Sequence, residues 1–498
     1  MNAPKHGIAK NRPSTMDKTG YQFKRLGDFA RTLLLDRKMR ARERWTRQQL
    51  EEFQSQQLSR LVRHARANSP FYSERYRQMP SSAETTLSAL PPIDKATIME
   101  NFDRIVTDSR LKLSDLEKHV VQLSGDEYYL GQYRALTTGG TTGLKGLFVY
   151  DRAAWSHVQA TLLRWARFMG VSPRLPKRVR IASVGSDSVA HASCRAAMSA
   201  DVGLYRILRL HATDSIASLV RALNGFQPEV LSAYPSIAAL LAIEQSEGRL
   251  KISPRIVSTG SEICTDGMKR AIEAAWCNAP FNNYALVEAM LASAECTAHG
   301  GIHIFEDLFI LEVVDERYRP VPDGVPGDKV LLTNLFNYTQ PLIRYEVSDM
   351  VTIAKEPCSC GRPFRAIARV EGRTDDIIFL PGAQGGEVPV HPDLFHTIVE
   401  LIAEVKEYQV IHDENGIHVR LVARSESVQH SVGVRLHERI RTSLQRMGAQ
   451  IPVIDIVFAS RIERDPKRMG KLKLVQSTVP RATRGGSGNT TSRNAVCA

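Results

Sequence analysis

The run Thr137-Thr138-Gly139-Gly140-Thr141-Thr142-Gly143-Leu144-Lys145-Gly146 carries the clearest chemistry in the chain. Closely spaced glycines let a backbone turn its N–H groups toward an anion, threonine hydroxyls add donors, and the lysine adds charge. That is phosphate-handling chemistry; the alternative is a glycine-rich hairpin turn. The run is no Walker loop, because no Gly-Lys-Ser/Thr closes it, and it lacks the GxGxxG order of a dinucleotide fingerprint. A second reactive set is Cys358-Ser359-Cys360, with Cys296 and His303 upstream. Three thiols and one imidazole are the donors of a closed tetrahedral zinc site, and His299 is an alternative nitrogen. Their spacing is unlike that of a zinc finger, which keeps buried free thiols open as the other reading. Cys194, Cys264, Cys277 and Cys497 read as packing or tail thiols. Seven cysteines spread over 498 residues make no disulfide framework. Reduced thiols fit a cytoplasmic setting.

These residues need a scaffold, and the pattern around them reads as α/β. Helical stretches such as 153–169 and 233–247 alternate with short β-like runs at 179–184, 255–259 and 330–333. From Tyr21 to Ala67 the apolar residues Leu33, Leu34, Leu50, Phe53, Leu58, Leu61 and Val62 recur at mostly helical spacing. That stripe is expected to pack on the large domain. Asn68-Ser69-Pro70 stops the helix, and Asp94 is placed to cap the next one. A boundary is expected near 371–376. Beyond it, strands at 408–412 and 417–423 flank the turn Asp413-Glu414-Asn415-Gly416, and a helix over 432–447 and a strand over 453–459 complete a small α+β unit. Residues 1–20 and 481–498 read as disordered ends.

Charge narrows the partners. The formal net charge is +13, but residues 1–48 hold 13 Lys and Arg against 4 Asp and Glu. Residues 477–498 add three arginines and no acid, which leaves +1 for 49–476. The basicity belongs to the ends, which are expected to be solvated and dispensable, so nucleic acid is not an expected partner. Hydrophobic residues at 43% and charged residues at 24% are ordinary globular usage. No apolar run approaches the roughly 18–20 residues of a membrane span. The first thirty residues, with Lys5, Lys10, Arg12 and Lys18, lack the apolar core of a signal peptide.

The glycine- and threonine-rich run is followed by Tyr284-Ala285-Leu286-Val287-Glu288, Arg344-Tyr345-Glu346-Val347-Ser348-Asp349, Gly372-Arg373-Thr374-Asp375-Asp376 and Gly470-Lys471. In this order the chain resembles the adenylate-forming superfamily of acyl-CoA synthetases, adenylation domains and luciferases. Ser69-Pro70-Phe71-Tyr72, Leu90–Lys95 and Glu295-Cys296 leading to Gly301-Ile302-His303 carry a narrower resemblance. It is to the phenylacetate–CoA ligase branch and its capsule-biosynthesis-associated relatives, over roughly residues 45–476.

The resemblance implies a large N-terminal ATP- and carboxylate-binding domain over 21–374. It also implies a small, mobile α+β C-terminal domain over 375–480, hinged at Asp375. Thr138, Gly139, Gly140, Thr141, Thr142, Gly143 and Lys145 would embrace the ATP phosphates, and Tyr284 would lie by the adenine. Asp349 would accept from the ribose hydroxyls with Arg373 assisting, and Glu288 would hold Mg²⁺. Lys471 would bridge the substrate carboxylate and the α-phosphate, a cation placed where charge develops. Some members carry a structural zinc on a similar set, which would be Cys296, His303, Cys358 and Cys360. Two departures stand out. Gly139 replaces a usual Ser or Thr, and Val287 replaces the threonine that touches the AMP phosphate. One lost donor to a charged group is worth about 1.5–3 kcal/mol. The implied reaction joins an aryl or other small carboxylic acid to CoA through an acyl-adenylate. An amine or sugar acceptor, or a non-catalytic nucleotide-binding protein, are the alternatives. His191, Tyr234 and Phe281 are candidates to line the acid pocket.

Overall fold

The computed structural model describes residues 18–79, 86–138, 146–173, 176–186, 188–200, 205–465 and 470–479. Capping chemistry divides the first helical stretch. Thr46 Oγ1 accepts from Gln49 N–H (3.2 Å) while Gln49 Oε1 accepts from Thr46 N–H (2.9 Å). This reciprocal box starts a new helix. The result is two helices, Lys18–Arg42 and Arg47–Asn68, and the first begins inside the expected disordered end at 1–20. Ser69 then caps Pro70–Arg75, and Asp94 caps Lys95–Glu100 through a 2.8 Å bond from Thr97 N–H.

The chain divides into two compact units. The first runs to Thr374 and also takes Glu463–Leu472; the second comprises Asp375–Ile462 and the chain from Lys473. The sequence reading had placed all of 375–480 in the second unit. The ten-residue return differs because its contacts lie with the first.

A nine-stranded mixed sheet is the scaffold of the first unit. Its parallel half runs Tyr205–His211, Val179–Gly185, Val230–Ala233, Ile256–Gly260, Phe281–Leu286. Its antiparallel half continues Met290–Glu295, Ile302–Ile304, Ala366–Arg373, Asp349–Ile353. Helices Ile216–Phe226 and Pro235–Ser246 make the crossovers between parallel strands, as parallel pairing requires. A three-stranded antiparallel sheet is formed by Phe309–Val314, Lys329–Asn334 and Tyr345–Val347. The hairpin Arg134–Thr137/Leu147–Tyr150 presents Thr138 at its mouth. Trp155, Tyr72, Phe102, Phe148, Phe168 and Phe305 are fully buried. Arg164 crosses this core to grip Asp307 through two bonds of 2.7 and 2.9 Å.

The expected apolar stripe is half right. Leu50, Leu58, Leu61 and Val62 of the second helix are buried, but Leu33 and Leu34 of the first are exposed. The helix Lys18–Arg42 turns its polar ladder inward instead. Asp28 accepts from Arg152 Nε (3.0 Å) and Tyr128 Oη (2.8 Å), and Asp36 accepts from Arg167 Nη1 (2.7 Å). Thr32 Oγ1 donates to Gln159 Oε1 at 2.9 Å. Charge-assisted bonds on that face outweigh the burial of Leu26, Leu33 and Leu34 on the other.

In the second unit a four-stranded sheet runs Ile454–Phe458, Gly416–Ala423, Val405–Asp413, Val475–Ser477. Val432, Leu436, Ile440 and Leu444 form the fully buried stripe of helix Gln429–Arg446. Gly416 sits at φ +137, where a Cβ would come within 3.0 Å of the Val453 backbone, so this hairpin end requires glycine. Among the described residues no helix is long and apolar enough to cross a membrane.

Candidate active site

Strand register places the first pair of site residues. Asp349 stands directly opposite Arg373 across two antiparallel strands, and Arg373 Nε donates to Asp349 Oδ1 at 2.8 Å. The other carboxylate oxygen accepts from the buried phenol of Tyr284 at 2.7 Å. Burial and the Asp349 charge hold that phenol protonated, well above its ordinary range. Three residues beyond Tyr284, at the end of its own strand, the chain turns through Val287-Glu288-Ala289, closed by Ala289 N–H to Leu286 O (3.2 Å). The buried Glu288 carboxylate accepts from Tyr345 Oη at 2.9 Å. Tyr150 Oη donates to the Val287 carbonyl (2.8 Å), which fixes the turn against the loop-bearing hairpin.

Lys471 enters from the returning segment Glu463–Leu472. Gly470 adopts φ +74, and a Cβ there would lie 3.1 Å from Ala212 Cβ, so only glycine fits this entry without strain. Leu472 N–H donates to Glu262 Oε1 (2.6 Å), and Ser236 N–H donates to Glu262 Oε2 (3.2 Å). One half-buried carboxylate thus ties the segment to helix Pro235–Ser246. The Lys471 ammonium sits 5.9 Å from the Tyr234 ring centroid, within cation–π range. Burial, and next the charge of Arg373, lower it to about 8, opposed by Glu262, Asp349 and Glu288. His191 lies near enough to feel the lysine, and burial with that charge holds it neutral at about 3. Ser193 N–H donates to His191 Nδ1 (3.3 Å), which leaves the proton on Nε2.

Tyr284, Glu288, Asp349, Arg373 and Lys471 are therefore brought into one electrostatic neighbourhood from four distant stretches of chain. Thr138 closes the hairpin mouth, accepting from Gly146 N–H at 2.8 Å. Gly139, Gly140, Thr141, Thr142, Gly143 and Lys145 lie outside the described residues. Asp375 is the first residue of the second unit. Of the three pocket candidates, His191 and Tyr234 stand beside Lys471. Phe281 packs instead with Ala166, Met169 and Val171. Glu262 and Tyr345 were missed as partners. Tyr345 adjoins a recognised motif, but nothing in the spacing of Glu262 announces a carboxylate that would anchor Lys471.

The donor atoms of Cys296, His303, Cys358 and Cys360 all lie within 4.8 Å of one another. The Cys296–Cys358 sulfur pair is 3.7 Å apart, and Cys360 Sγ is 3.4 Å from His303 Nε2. A tetrahedron with Zn–S near 2.3 Å has ligand–ligand edges of about 3.8 Å, so the set fits zinc. His303 Nδ1 faces the Phe364 carbonyl at 3.4 Å, which aims Nε2 at the thiols. His299, the alternative nitrogen, turns to Glu295 (3.4 Å) and stacks near Phe281.

No protein-family model matches the chain. It is 32% identical over 208 residues to phenylacetate-coenzyme A ligase of Thermus thermophilus, which spans 40% of this chain but only 45% of that protein. It is 25% identical over 399 residues to phenylacetate-coenzyme A ligase of Pseudomonas putida, covering 76% of this chain and 83% of the relative. Protein CapK of Staphylococcus aureus is 25% identical over 406 residues, covering 79% and 82%. Among solved structures, 2-hydroxyisobutyryl-CoA ligase in its postadenylation state superposes with a TM-score of 0.68 at 20% identity. That match covers 88% of this chain and 91% of the other, and shows a shared fold. Over about three quarters of its length the chain is thus similar to phenylacetate-coenzyme A ligases and protein CapK, and it shares the fold of 2-hydroxyisobutyryl-CoA ligase.

Proposed function

We propose that the protein activates a small carboxylic acid with ATP and passes the acyl group to the thiol of CoA. The observation that carries this reading is the half-buried Lys471, its ammonium 5.9 Å from the Tyr234 ring centroid and within the electrostatic reach of Arg373, Asp349 and Glu288. A carboxylate oxygen attacks the α-phosphorus, the bond to pyrophosphate breaks, and the acyl-adenylate forms. Lys471 offsets the negative charge gathered on the attacking carboxylate and the phosphorus-centred transition state. Asp349, held by Tyr284 and Arg373, keeps acceptor lone pairs for the ribose hydroxyls. The CoA thiolate then attacks the acyl carbon and AMP departs, a far better leaving group than oxide. Rotation at Asp375 would withdraw Lys471 between the two steps.

Glu288 is the residue that would hold Mg²⁺, which supplies charge neutralisation at the phosphates. Cys296, His303, Cys358 and Cys360 would hold zinc in a structural role, since four protein donors leave no open position. Such thiols need a reducing compartment, which supports a cytoplasmic location.

ATP–pyrophosphate exchange across aryl and aliphatic acids tests the first half-reaction, and adding CoA tests the second. Exchange with at least one acid and CoA-dependent thioester formation are expected. Exchange that CoA never drains would move the acceptor to an amine or sugar. No exchange with any acid would leave only nucleotide binding.

A further inference from the structure

The helix Lys18–Arg42 is inside out for a helix docked on a folded body. Its buried positions are the polar Asp28, Thr32 and Asp36 with Met39, whereas Leu26, Leu33 and Leu34 are 65%, 47% and 63% exposed. At about 100° per residue, these leucines fall with Ala30 and Ala41 on one stripe about 100° wide. Arg40 borders one edge, Lys38 and Arg31 border the other, and Arg37 rises within it. All four cations are exposed. Both acids of the helix point inward and are paired, so the outer face is purely cationic around an apolar strip. The seventeen residues before it add Lys5, Lys10 and Arg12 against a single acid, Asp17.

We propose that this face docks on an anionic lipid surface, the helix lying in the plane of the headgroups. Leucines on one stripe with basic residues along both borders are what that interface selects: the apolar strip enters the acyl boundary and the long cations reach lipid phosphates. Nucleic acid would use the cations and leave the leucines in water. A second copy of the chain would set two cationic faces against each other, a repulsion that three leucines oppose poorly. The inference is independent of the reaction proposed above, because no residue of the face belongs to the site.

The test is co-sedimentation of the full-length protein with vesicles of phosphatidylcholine and phosphatidylglycerol at about 3:1, and with phosphatidylcholine alone. Binding to the anionic vesicles is expected, with much weaker binding to neutral ones. It should fall at least about tenfold in Leu26→Ser/Leu33→Ser/Leu34→Ser and in Arg31→Gln/Arg37→Gln/Lys38→Gln. Adenylation and melting temperature should stay unchanged in both variants. Absence of binding to anionic vesicles overturns the proposal. So does undiminished binding by the leucine variant, which would leave charge alone as the cause. Leucine-dependent dimerisation, or leucine-dependent capture of an acidic peptide without vesicle binding, assigns the face to a protein and equally overturns it.

Discussion

Lys471 concentrates the chemistry on one proton. Its ammonium is destabilised by burial and by Arg373, so in the free enzyme it is charged below about 8 and neutral above. On the proposed mechanism adenylation needs the charge, hence kcat/KM for pyrophosphate exchange should fall as pH rises through about 8. Bound ATP brings negative charge beside the lysine, so the same limb in kcat should move to higher pH. Lys471→Ala should lower exchange by at least about 100-fold while ATP affinity changes only a few-fold. Thiolysis of supplied acyl-adenylate should persist; equal loss of both half-reactions in a folded variant would refute the two-step role. On the same reading Val287→Thr would supply a donor to the phosphate, and exchange should rise about tenfold. At this scale the ordered motifs supplied Tyr284, Glu288, Asp349, Arg373 and Lys471, which the fold brings into one neighbourhood. Glu262 had no such frame, since its role arises only when Leu472 N–H arrives from 210 positions away.

Elements are held by polar contacts as much as by their apolar stripes. Arg164 of helix Arg152–Phe168 and Asp307 are both wholly buried at the side chain and joined by two bonds. Removing one partner strands a charge, so Asp307→Ala should cost about 3–5 kcal/mol in denaturant unfolding. The metal-ligand cluster sets a second test. On the proposed zinc reading the chain carries about one zinc, and Cys358→Ser or Cys360→Ser should abolish it and lower Tm by at least about 5 °C. Gly300 belongs to the same cluster: a Cβ there would lie 2.6 Å from Cys358 Sγ, so Gly300→Ala should release the metal too. Elemental analysis with thermal melting checks all three. Spacing showed a helical stretch from residue 21 onward but not which side of its first helix is buried. Asp28, Thr32 and Asp36 repeat with the same period as the leucines, and only Arg152, Arg167 and Gln159 decide between the two faces.

For the whole molecule, the two units meet in sequence between Thr374 and Asp375, and the chain returns to the first at Glu463–Leu472. Asp375→Pro should slow CoA-dependent thioester formation far more than pyrophosphate exchange, measured side by side. The α/β body and the small α+β unit were both readable from alternating patterns. The return of ten residues was not, because no local pattern records which unit a segment leaves and which it joins. That return also has a consequence for biosynthesis. The body that would cradle the nucleotide is synthesised by Thr374, yet Lys471 follows roughly 100 residues later, about 5–20 s at ordinary elongation rates. Until then the pocket lacks its ammonium and Glu262 lacks the Leu472 amide. On the proposed reading a nascent chain would therefore hold nucleotide without consuming it, and competence would arrive only with Lys471.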